Sequence, residues 1–322
     1  MSDMNYRLVT LAILIAACRS APSLPSPPQP SGAEPQTIVE ATSLLGTPLS
    51  RPVLPEETRR KYEEALAEAR QHHSANPGHA DAIIWLGRRT AYLGRYRDAI
   101  DIYTRGIQQH PNDARLYRHR GHRYITIREL DRAIADFERA ASLVAGREDE
   151  IEPDGLPNAR NIPTSTLQSN ICYHLGLAHY LKGDFERALP VYRECMEVSK
   201  NPDMLVATSH WLYMTLRRLG RDAEAARVLE PIRADLDVIE NGAYHRLLLM
   251  YKRELPVDSL LATSSSAALD DVTTAYGVGN WYLYTGDAAR ATDIFHRIVA
   301  TGNWAAFGAI AAEAELARGT PP

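Results

Sequence analysis

Histidines are the residues of this chain whose type and spacing could support metal chemistry. His119 and His122 are three positions apart, a spacing that places both imidazoles on one face of a helix. Imidazoles brought together in this way bind zinc or copper. The sequence contains no phosphate-cradling glycine loop, no zinc-protease helix motif and no nucleophile elbow. We therefore predict no catalytic residue and no cofactor, and interpret the histidines through the elements that carry them.

The first of three cysteines follows an apolar run that is too short to cross a membrane. Residues 8–17 have the length of a signal-peptide core, and Ile15-Ala16-Ala17-Cys18 resembles the lipobox of exported bacterial lipoproteins. The resemblance implies that a lipoprotein signal peptide, residues 1–17, is cleaved before Cys18, which is then acylated. We expect a protein anchored by lipid to the cell envelope, on the periplasmic face of the inner or outer membrane. An ordinary signal peptide with a chance cysteine is the alternative.

Residues 18–55 are predicted to be a disordered, proline-rich tether. The segment contains nine prolines and almost no periodic apolar pattern, so it buries too little surface to offset its ordering entropy. Pro48, Pro52 and Pro55 also exclude a regular helix. The folded part is therefore expected to begin at Glu56.

A register of about 34 residues organises the rest of the chain. Each unit places a small residue in a first helix, an alanine at the start of a second helix, and an aromatic four positions later. Small residues let two helices approach, and the aromatic rings fill the space behind the contact. These residues are interpreted as structural. They include Gly87, Ala99, Tyr103, Gly121, Ala133, Phe137, Gly176, Ala188, Tyr192, Ala291 and Phe295.

The segment with Leu86-Gly87, Ala99, Tyr103, Gly106 and Pro111 resembles a tetratricopeptide repeat. The resemblance covers residues 56–318 and implies an all-α fold, a right-handed superhelix of helix-turn-helix units. A final amphipathic helix would seal the exposed end of the stack. The implied units are a half-repeat cap at 56–79, repeats near 80–113, 114–147, 169–202, 206–239, 240–271 (degenerate) and 272–303, and a capping helix at 304–318.

The register is interrupted by an insertion at residues 147–168. Long irregular connections in helical stacks are usually functional or disordered. Three prolines and Gly155 favour defined turns in this one. The insertion is either a lid over the concave groove or a solvated loop on the outside.

The resemblance also implies which side chains line the concave groove, because fixed positions of each first helix face it. On this chain those positions are rich in aromatic, histidine, amide and arginine side chains, and Asp81 is the one acid among them. Arginine and tyrosine are common anchors of recognition. We therefore expect a basic groove that binds an acidic or carboxylate-bearing protein or peptide. Packing of some of these side chains between neighbouring first helices is the alternative. The candidate binding residues are Arg88, Arg115, Arg118, His119, His122, Asn170, Tyr173, His174, His210, Arg217, Arg218, Asn241, Tyr244, His245, Tyr276 and Asn280.

Cys172 and Cys195 occupy positions of the repeat register that face each other across a helical hairpin. Export would permit a disulfide between them. Two separate buried thiols are the alternative.

The leading functional hypothesis is a membrane-anchored interaction scaffold. The resemblance to tetratricopeptide lipoproteins implies a role in envelope assembly or secretion, which is an analogy from fold. The competing hypothesis is a small-molecule or metal site, with or without enzymatic activity, formed by groove histidines, Asn170 and the insertion. His119, His122 and His174 are the metal candidates because the register places His174 one unit after His119. A net charge of −4 gives no reason to expect nucleic acid.

Overall fold

The computed structural model describes residues 38–261 and 269–319. This part of the chain forms antiparallel helical hairpins stacked side by side, preceded by two short strands. The prediction of an all-α repeat solenoid is confirmed. The elements are β1 (Val39–Thr42), β2 (Pro48–Ser50), α1 (Glu56–Ala75), α2 (Ala80–Tyr92), α3 (Tyr96–Gln109), α4 (Ala114–Thr126), α5 (Leu130–Val144), α6 (Leu167–Lys182), α7 (Phe185–Val198), α8 (Pro202–Arg218), α9 (Asp222–Val228), α10 (Gly242–Tyr251), α11 (Val257–Leu261), α12 (Leu269–Thr285), α13 (Ala288–Ala300) and α14 (Phe307–Arg318).

Close approach of the two helices in a hairpin depends on the small residues of the register. A methyl group at Gly87 would lie 2.3 Å from Cε1 of Tyr103, and one at Gly176 would lie 2.7 Å from the ring of Tyr192. The aromatic rings are buried directly behind the glycines. The structural interpretation of these residues is confirmed, and none of them is left available for a ligand.

A covalent bond fastens the third hairpin, α6–α7. Cys172 and Cys195 are joined in a disulfide, with their Cα atoms 5.4 Å apart. Of the two alternatives left open by the sequence, the structure contains the bridge. It ties the first helix of the hairpin, which faces the concave side, to the second helix behind it.

The tether expected through residue 55 has to be corrected, because its last part is folded. Strands β1 and β2 form an antiparallel hairpin. Glu40, which is 2% exposed, forms an ion pair with Arg51. It also accepts a hydrogen bond from the backbone N–H of Arg97, at the start of α3. The prolines exclude a helix here but permit a short edge strand.

Irregular packing begins after α8, where the register is degenerate. Helix α9 has seven residues, and residues 229–241 form turns rather than a full second helix. Tyr213 stands where the register has glycine in other units, and its ring stacks on Tyr251 at 4.5 Å between centroids. The bulkier side chain is therefore accommodated by a ring of the next hairpin.

Helix α14 does more than the predicted end cap would do. It packs on α12 and α13, which form the last hairpin, and it also contacts α6. Residues 308–315 are buried in succession, so the helix is enclosed on all sides rather than amphipathic. The expectation of a helix that only seals the exposed end is corrected: α14 also fills space on the concave side.

Candidate functional site

The concave face is the surface formed by the candidate binding residues named from the repeat register. Most of these side chains are buried in the structure. Many of their polar atoms form hydrogen bonds or ion pairs with residues of the same chain, whereas Nε2 of His210 is buried without a hydrogen-bond partner in the described part of the chain. The residues below 10% exposure are Arg118, His119, Asn170, Tyr173, His174, His210, Tyr244, Tyr276 and Asn280.

The insertion covers one part of this face. Backbone hydrogen bonds from Glu152 to Ser165 and from Leu167 to Glu150 pair its two arms. Thr166 and Ser169 then form a capping box that starts α6. Of the two alternatives for the insertion, the structure therefore shows a lid, which we call the roof (residues 150–166).

Glu152 holds the roof in place. Its carboxylate oxygen Oε2 lies 3.0 Å from Nε of Arg118, an ion-pair distance whose angle does not suit a hydrogen bond. The same oxygen accepts a hydrogen bond from Nδ2 of Asn170 at 3.0 Å. His119 Nε2 lies 3.5 Å from the other oxygen. Burial lowers the pKa of the Arg118 guanidinium, and Glu152 acts in the opposite direction.

The two arginines at the edge of α2 also attach to the roof. Arg88 Nη1 donates to the backbone carbonyl of Pro153 at 2.7 Å, and Arg89 Nη1 donates to that of Gly155 at 2.8 Å. A methyl group at Gly155 would lie 1.7 Å from the hydroxyl of Tyr92, so a larger residue here would have to displace that side chain. The roof is therefore anchored at several points.

Helix α14 supplies two more carboxylates to the concave side. Glu313, 2% exposed, forms a bidentate ion pair with Arg128 and accepts a hydrogen bond from the backbone N–H of Leu44. Glu315, 3% exposed, forms ion pairs at 2.7 Å with both Arg218 and Arg318. These contacts join residues far apart in sequence across the inside of the superhelix.

The expectation of an open basic groove therefore has to be corrected. Arg118 and Arg218 were predicted to await an acidic partner, but Glu152 and Glu315 already neutralise them. The physical reason is that a buried cation requires a partner inside the protein. The acids missing from the first helices are provided by the roof and by α14. Glutamates of the same chain thus take the place that an acidic partner was expected to occupy beside Arg118 and Arg218.

Three further candidates lie at the edges of the face with local partners. Arg115 forms ion pairs with Asp81 and Asp113. His245 Nε2 lies 2.7 Å from the backbone carbonyl of Arg233. Arg217 lies near Asp222 at 2.8 Å; these ion pairs are partly exposed, so each contributes little to stability.

The histidines do not converge on a common point. His122 and His174 pack ring against ring at 4.6 Å, whereas His119 stacks on Tyr103 and faces Glu152. No group of three potential metal ligands occurs in residues 38–261 and 269–319. Burial, followed by nearby arginines, lowers the pKa of His119 and His122, and the same causes lower that of His174 to about 3. The metal interpretation of these three residues is not supported by their positions.

Tyrosine hydroxyls form a buried hydrogen-bond network behind the concave face. Trp211 Nε1 donates to the hydroxyl of Tyr173, which lies 2.9 Å from that of Tyr244. Asn280 Nδ2 and the hydroxyl of Tyr276 both donate to Tyr180. His210 lies beside this network, 1% exposed, and burial lowers its pKa to about 3. Tyr276, Asn280 and His210 are therefore core residues of this protein.

An opening lies between the roof, α6, α8, α10 and the start of α14, and we call it the insertion pocket. Its volume is about 240 Å³. Five of the candidates predicted from sequence lie in its wall: Asn170, Tyr173, His174, Asn241 and Tyr244. The remaining wall residues are Thr164, Ser165, Met204, Ala207, Glu240 and Phe307.

Sequence reasoning missed the residues that close the face. Glu152, Glu313 and Glu315 are the acids that pair with its cations, and Phe307 packs on His122 and His174. A signal was present for α14, where two glutamates interrupt an otherwise apolar helix. Nothing in the sequence indicated which distant arginine each would meet.

Cys18, the predicted site of lipidation, lies outside the described residues, as does the rest of residues 1–37, which were assigned to the signal peptide and the tether. Among the described helices, none combines the length and the apolar character that a membrane crossing requires.

Comparison with known proteins matches one hairpin to a family model. Residues 169–202, which contain α6 and α7, match the model described as tetratricopeptide repeat. BBSome complex member BBS4 of Bos taurus is 25% identical over 141 residues, which are 44% of this chain and 23% of that protein. The chain thus spans less than a quarter of that relative's length.

Solved structures of helical repeat proteins are similar to the chain at low identity. YrrB, described as a TPR protein with an unusual peptide-binding site, is 16% identical with a TM-score of 0.41, covering 74% of this chain and 92% of that one. MamA is 16% identical with a TM-score of 0.41, and the match covers 63% of this chain and 100% of MamA.

Proposed function

We propose that the chain, one hairpin of which matches the tetratricopeptide repeat, is an interaction scaffold that binds a segment of a partner protein in the insertion pocket. The observation that carries this proposal is the convergence of Asn170, Tyr173, His174, Asn241 and Tyr244 on one accessible opening. Aromatic side chains with polar tips are frequent anchors of protein recognition.

A local pocket supports binding better than the concave face as a whole. Elsewhere on this face the roof or α14 lies against the candidate residues, and their charges are paired. A volume of about 240 Å³ holds one or two side chains of an extended segment. It lies below the usual size of small-molecule sites, roughly 300 Å³ and above. An acidic segment is not part of the proposal, because the buried arginines already have carboxylate partners.

We propose further that the scaffold is attached to the cell envelope through acylated Cys18, with a role in envelope assembly or secretion. The lipobox-like sequence supports the anchor. Replacing Cys18 by Ser should release the protein from membranes into the soluble fraction, measured by fractionation of cells. Cys172→Ser, which removes the disulfide of the folded part and leaves Cys18 in place, is the control and should remain with the membrane. Unchanged membrane association of Cys18→Ser would contradict the anchor.

A photo-crosslinking amino acid placed at Ile162 tests the site of binding. Ile162 is on the roof, two residues before Thr164 of the pocket wall, and is 44% exposed, whereas Glu138 on α5 is an exposed control position. In native membranes we expect a crosslinked partner from position 162 and none from 138. Equal crosslinking from both positions would contradict the proposal.

Variants that fill the pocket test the same proposal by blocking the binding site. Ala207→Phe places a ring inside the wall and should abolish crosslinking from position 162, while Ala226→Phe on exposed α9 should leave it unchanged. Thermal melting checks that the variants fold, and Ser165→Phe fills the pocket from the roof if the first variant does not. Crosslinking retained by a folded, filled variant would place the partner elsewhere.

A further inference from the structure

The side chains in the wall of the insertion pocket use their hydrogen-bond donors inside the protein. Asn170 Nδ2 donates to Glu152 Oε2 at 3.0 Å and to Ser165 Oγ at 2.9 Å. Asn241 Nδ2 donates to the backbone carbonyl of Asp203 at 3.2 Å. Neither amide oxygen has a hydrogen bond in the described part of the chain. The amides thus offer acceptors, not donors, to an occupant.

His174 adds a third acceptor. Its Nδ1 lies 2.6 Å from the backbone carbonyl of Asn170, a contact that requires the proton on Nδ1. The ring is 5% exposed and is neutral at physiological pH, because burial lowers its pKa to about 3. Nε2 therefore carries a lone pair, and no described residue donates to it. The ring lies in the pocket wall.

A carboxylate without a counter-ion completes the set of acceptors. Glu240 accepts hydrogen bonds from Asn158 and Thr164, which are both neutral, and forms no ion pair with a described residue. Asp154 on the roof is likewise without an ion pair there. Its pKa is raised by burial and then by Glu240, so the two carboxylates share one negative region. Arg160, the cationic residue of the roof, forms its ion pair with Asp237 at 2.7 Å and not with either of these carboxylates.

Aromatic rings form much of the remaining wall. Tyr173, Tyr244 and Phe307 line the pocket beside Met204 and Ala207. Aromatic faces attract cations, more strongly where water is excluded. Hydrogen-bond acceptors, a carboxylate without an ion pair and aromatic rings together suit a positively charged group that is rich in N–H donors.

We propose that the insertion pocket binds a cationic side chain, arginine or lysine, of the partner protein. The proposal rests on the proposed function and names the chemistry of its ligand. Glu240 forms the ion pair, Asn170, Asn241 and His174 Nε2 accept the remaining N–H groups, and the tyrosines and Phe307 enclose the alkyl stem. A long side chain with a charged end matches the volume of the pocket.

Synthetic peptides that differ at one position test this inference. The probes are acetylated, amidated pentapeptides with arginine, lysine, citrulline or glutamate between glycine pairs. Citrulline keeps the shape of arginine without its charge. Binding to the full chain in detergent is followed by NMR through the side-chain amide signals of Asn170 and Asn241. We expect saturable shifts with arginine and lysine, and none with citrulline or glutamate. Equal shifts with arginine and citrulline, no shift with any peptide, or preference for glutamate would overturn the inference.

The carboxylate is tested with matched variants. Glu240→Gln should weaken binding of the arginine peptide about tenfold, since hydrogen bonds to a charged group are stronger by ~1–2 kcal/mol. Glu148→Gln, on an exposed residue outside the pocket wall, should leave the affinity unchanged. Equal affinities of both variants would also overturn the inference. If partner crosslinking from position 162 persists after such a result, the scaffold proposal stands and only the cationic ligand is wrong.

Discussion

Glu313 and Arg128 illustrate how single residues close this solenoid. Both are under 10% exposed, and they are 185 positions apart in sequence. Arg128 also donates to the backbone carbonyls of Thr126 and Trp304. A charge pair so enclosed is strongly coupled: each member makes the burial of the other tolerable. The pair therefore fixes where α14 lies against the earlier repeats.

Removing one member of this pair should destabilise the protein strongly. Glu313→Ala leaves the Arg128 charge buried without a partner, and we expect the free energy of unfolding to fall by roughly 3–5 kcal/mol. Urea denaturation measures the loss. The control is Asp293→Ala, which breaks an exposed ion pair with Arg297 and should change stability by under about 1 kcal/mol. Similar losses in both variants would contradict the assigned role of the buried pair.

Two buried neutral histidines predict a dependence of stability on pH. The pKa of both His174 and His210 is lowered to about 3, mainly by burial. Between pH 3 and about 6.5 the unfolded chain binds protons that the folded chain does not, so stability falls as pH decreases.

His210→Phe removes one of these groups. Because each histidine contributes at most about 1.4 kcal/mol per pH unit, the slope of unfolding free energy between pH 6 and 4 should decrease by about that amount. Urea titrations at several pH values measure the slope. His296→Phe, at an exposed position on α13, serves as the control. An unchanged slope for His210→Phe would mean that His210 titrates normally.

At the scale of elements, the roof is held by a few polar contacts rather than by an apolar core. Ile151 and Leu156 on the roof are 67% and 54% exposed. Its attachment relies instead on the ion pair of its own Glu152 with Arg118 and on the hydrogen bonds from the arginines of α2. Elements with few buried apolar contacts open at lower free energy than the core. We therefore regard the roof as the part of the pocket most sensitive to a single substitution.

Glu152→Gln tests how the roof is fastened. The substitution keeps an acceptor for Asn170 but removes the charge that balances Arg118. We expect faster amide hydrogen exchange in residues 150–166 than in the unaltered protein, with little change in α3. Glu150→Gln, whose side chain is exposed, should leave the exchange unchanged. Equal protection of the roof in both variants would show that Glu152 does not hold it.

At the scale of the whole molecule, the repeating parts were predictable and the closing contacts were not. Gly87 with Tyr103 and Gly176 with Tyr192 follow a fixed period, because each hairpin solves the same local packing problem. The strands β1 and β2 follow no such period, and their prolines suggested disorder. Long-range contacts join these strands and α14 to the repeats, such as the hydrogen bond from Leu44 to Glu313. Sequence periodicity contains no information about such contacts.

The site was predicted in the same uneven way. The register predicted Asn170, Tyr173 and Tyr244 to face the concave side, and all three lie in the wall of the insertion pocket. It treated the face as solvent-exposed, because it could not place Glu152 or Glu315 opposite the arginines. The prediction of a basic groove was therefore wrong, because its arginines are neutralised within the chain. Several of the predicted residues nevertheless meet at one pocket.

The central claim is that the cations of the concave face are structural and that binding is confined to the insertion pocket. The unfolding free energy of Arg118→Gln tests it most directly. The variant leaves Glu152 buried beside Asn170 without its cation, so the account predicts a loss of roughly 3–5 kcal/mol. Unchanged stability, together with lost partner crosslinking from position 162, would instead show that Arg118 is a free ligand-binding residue of an open groove.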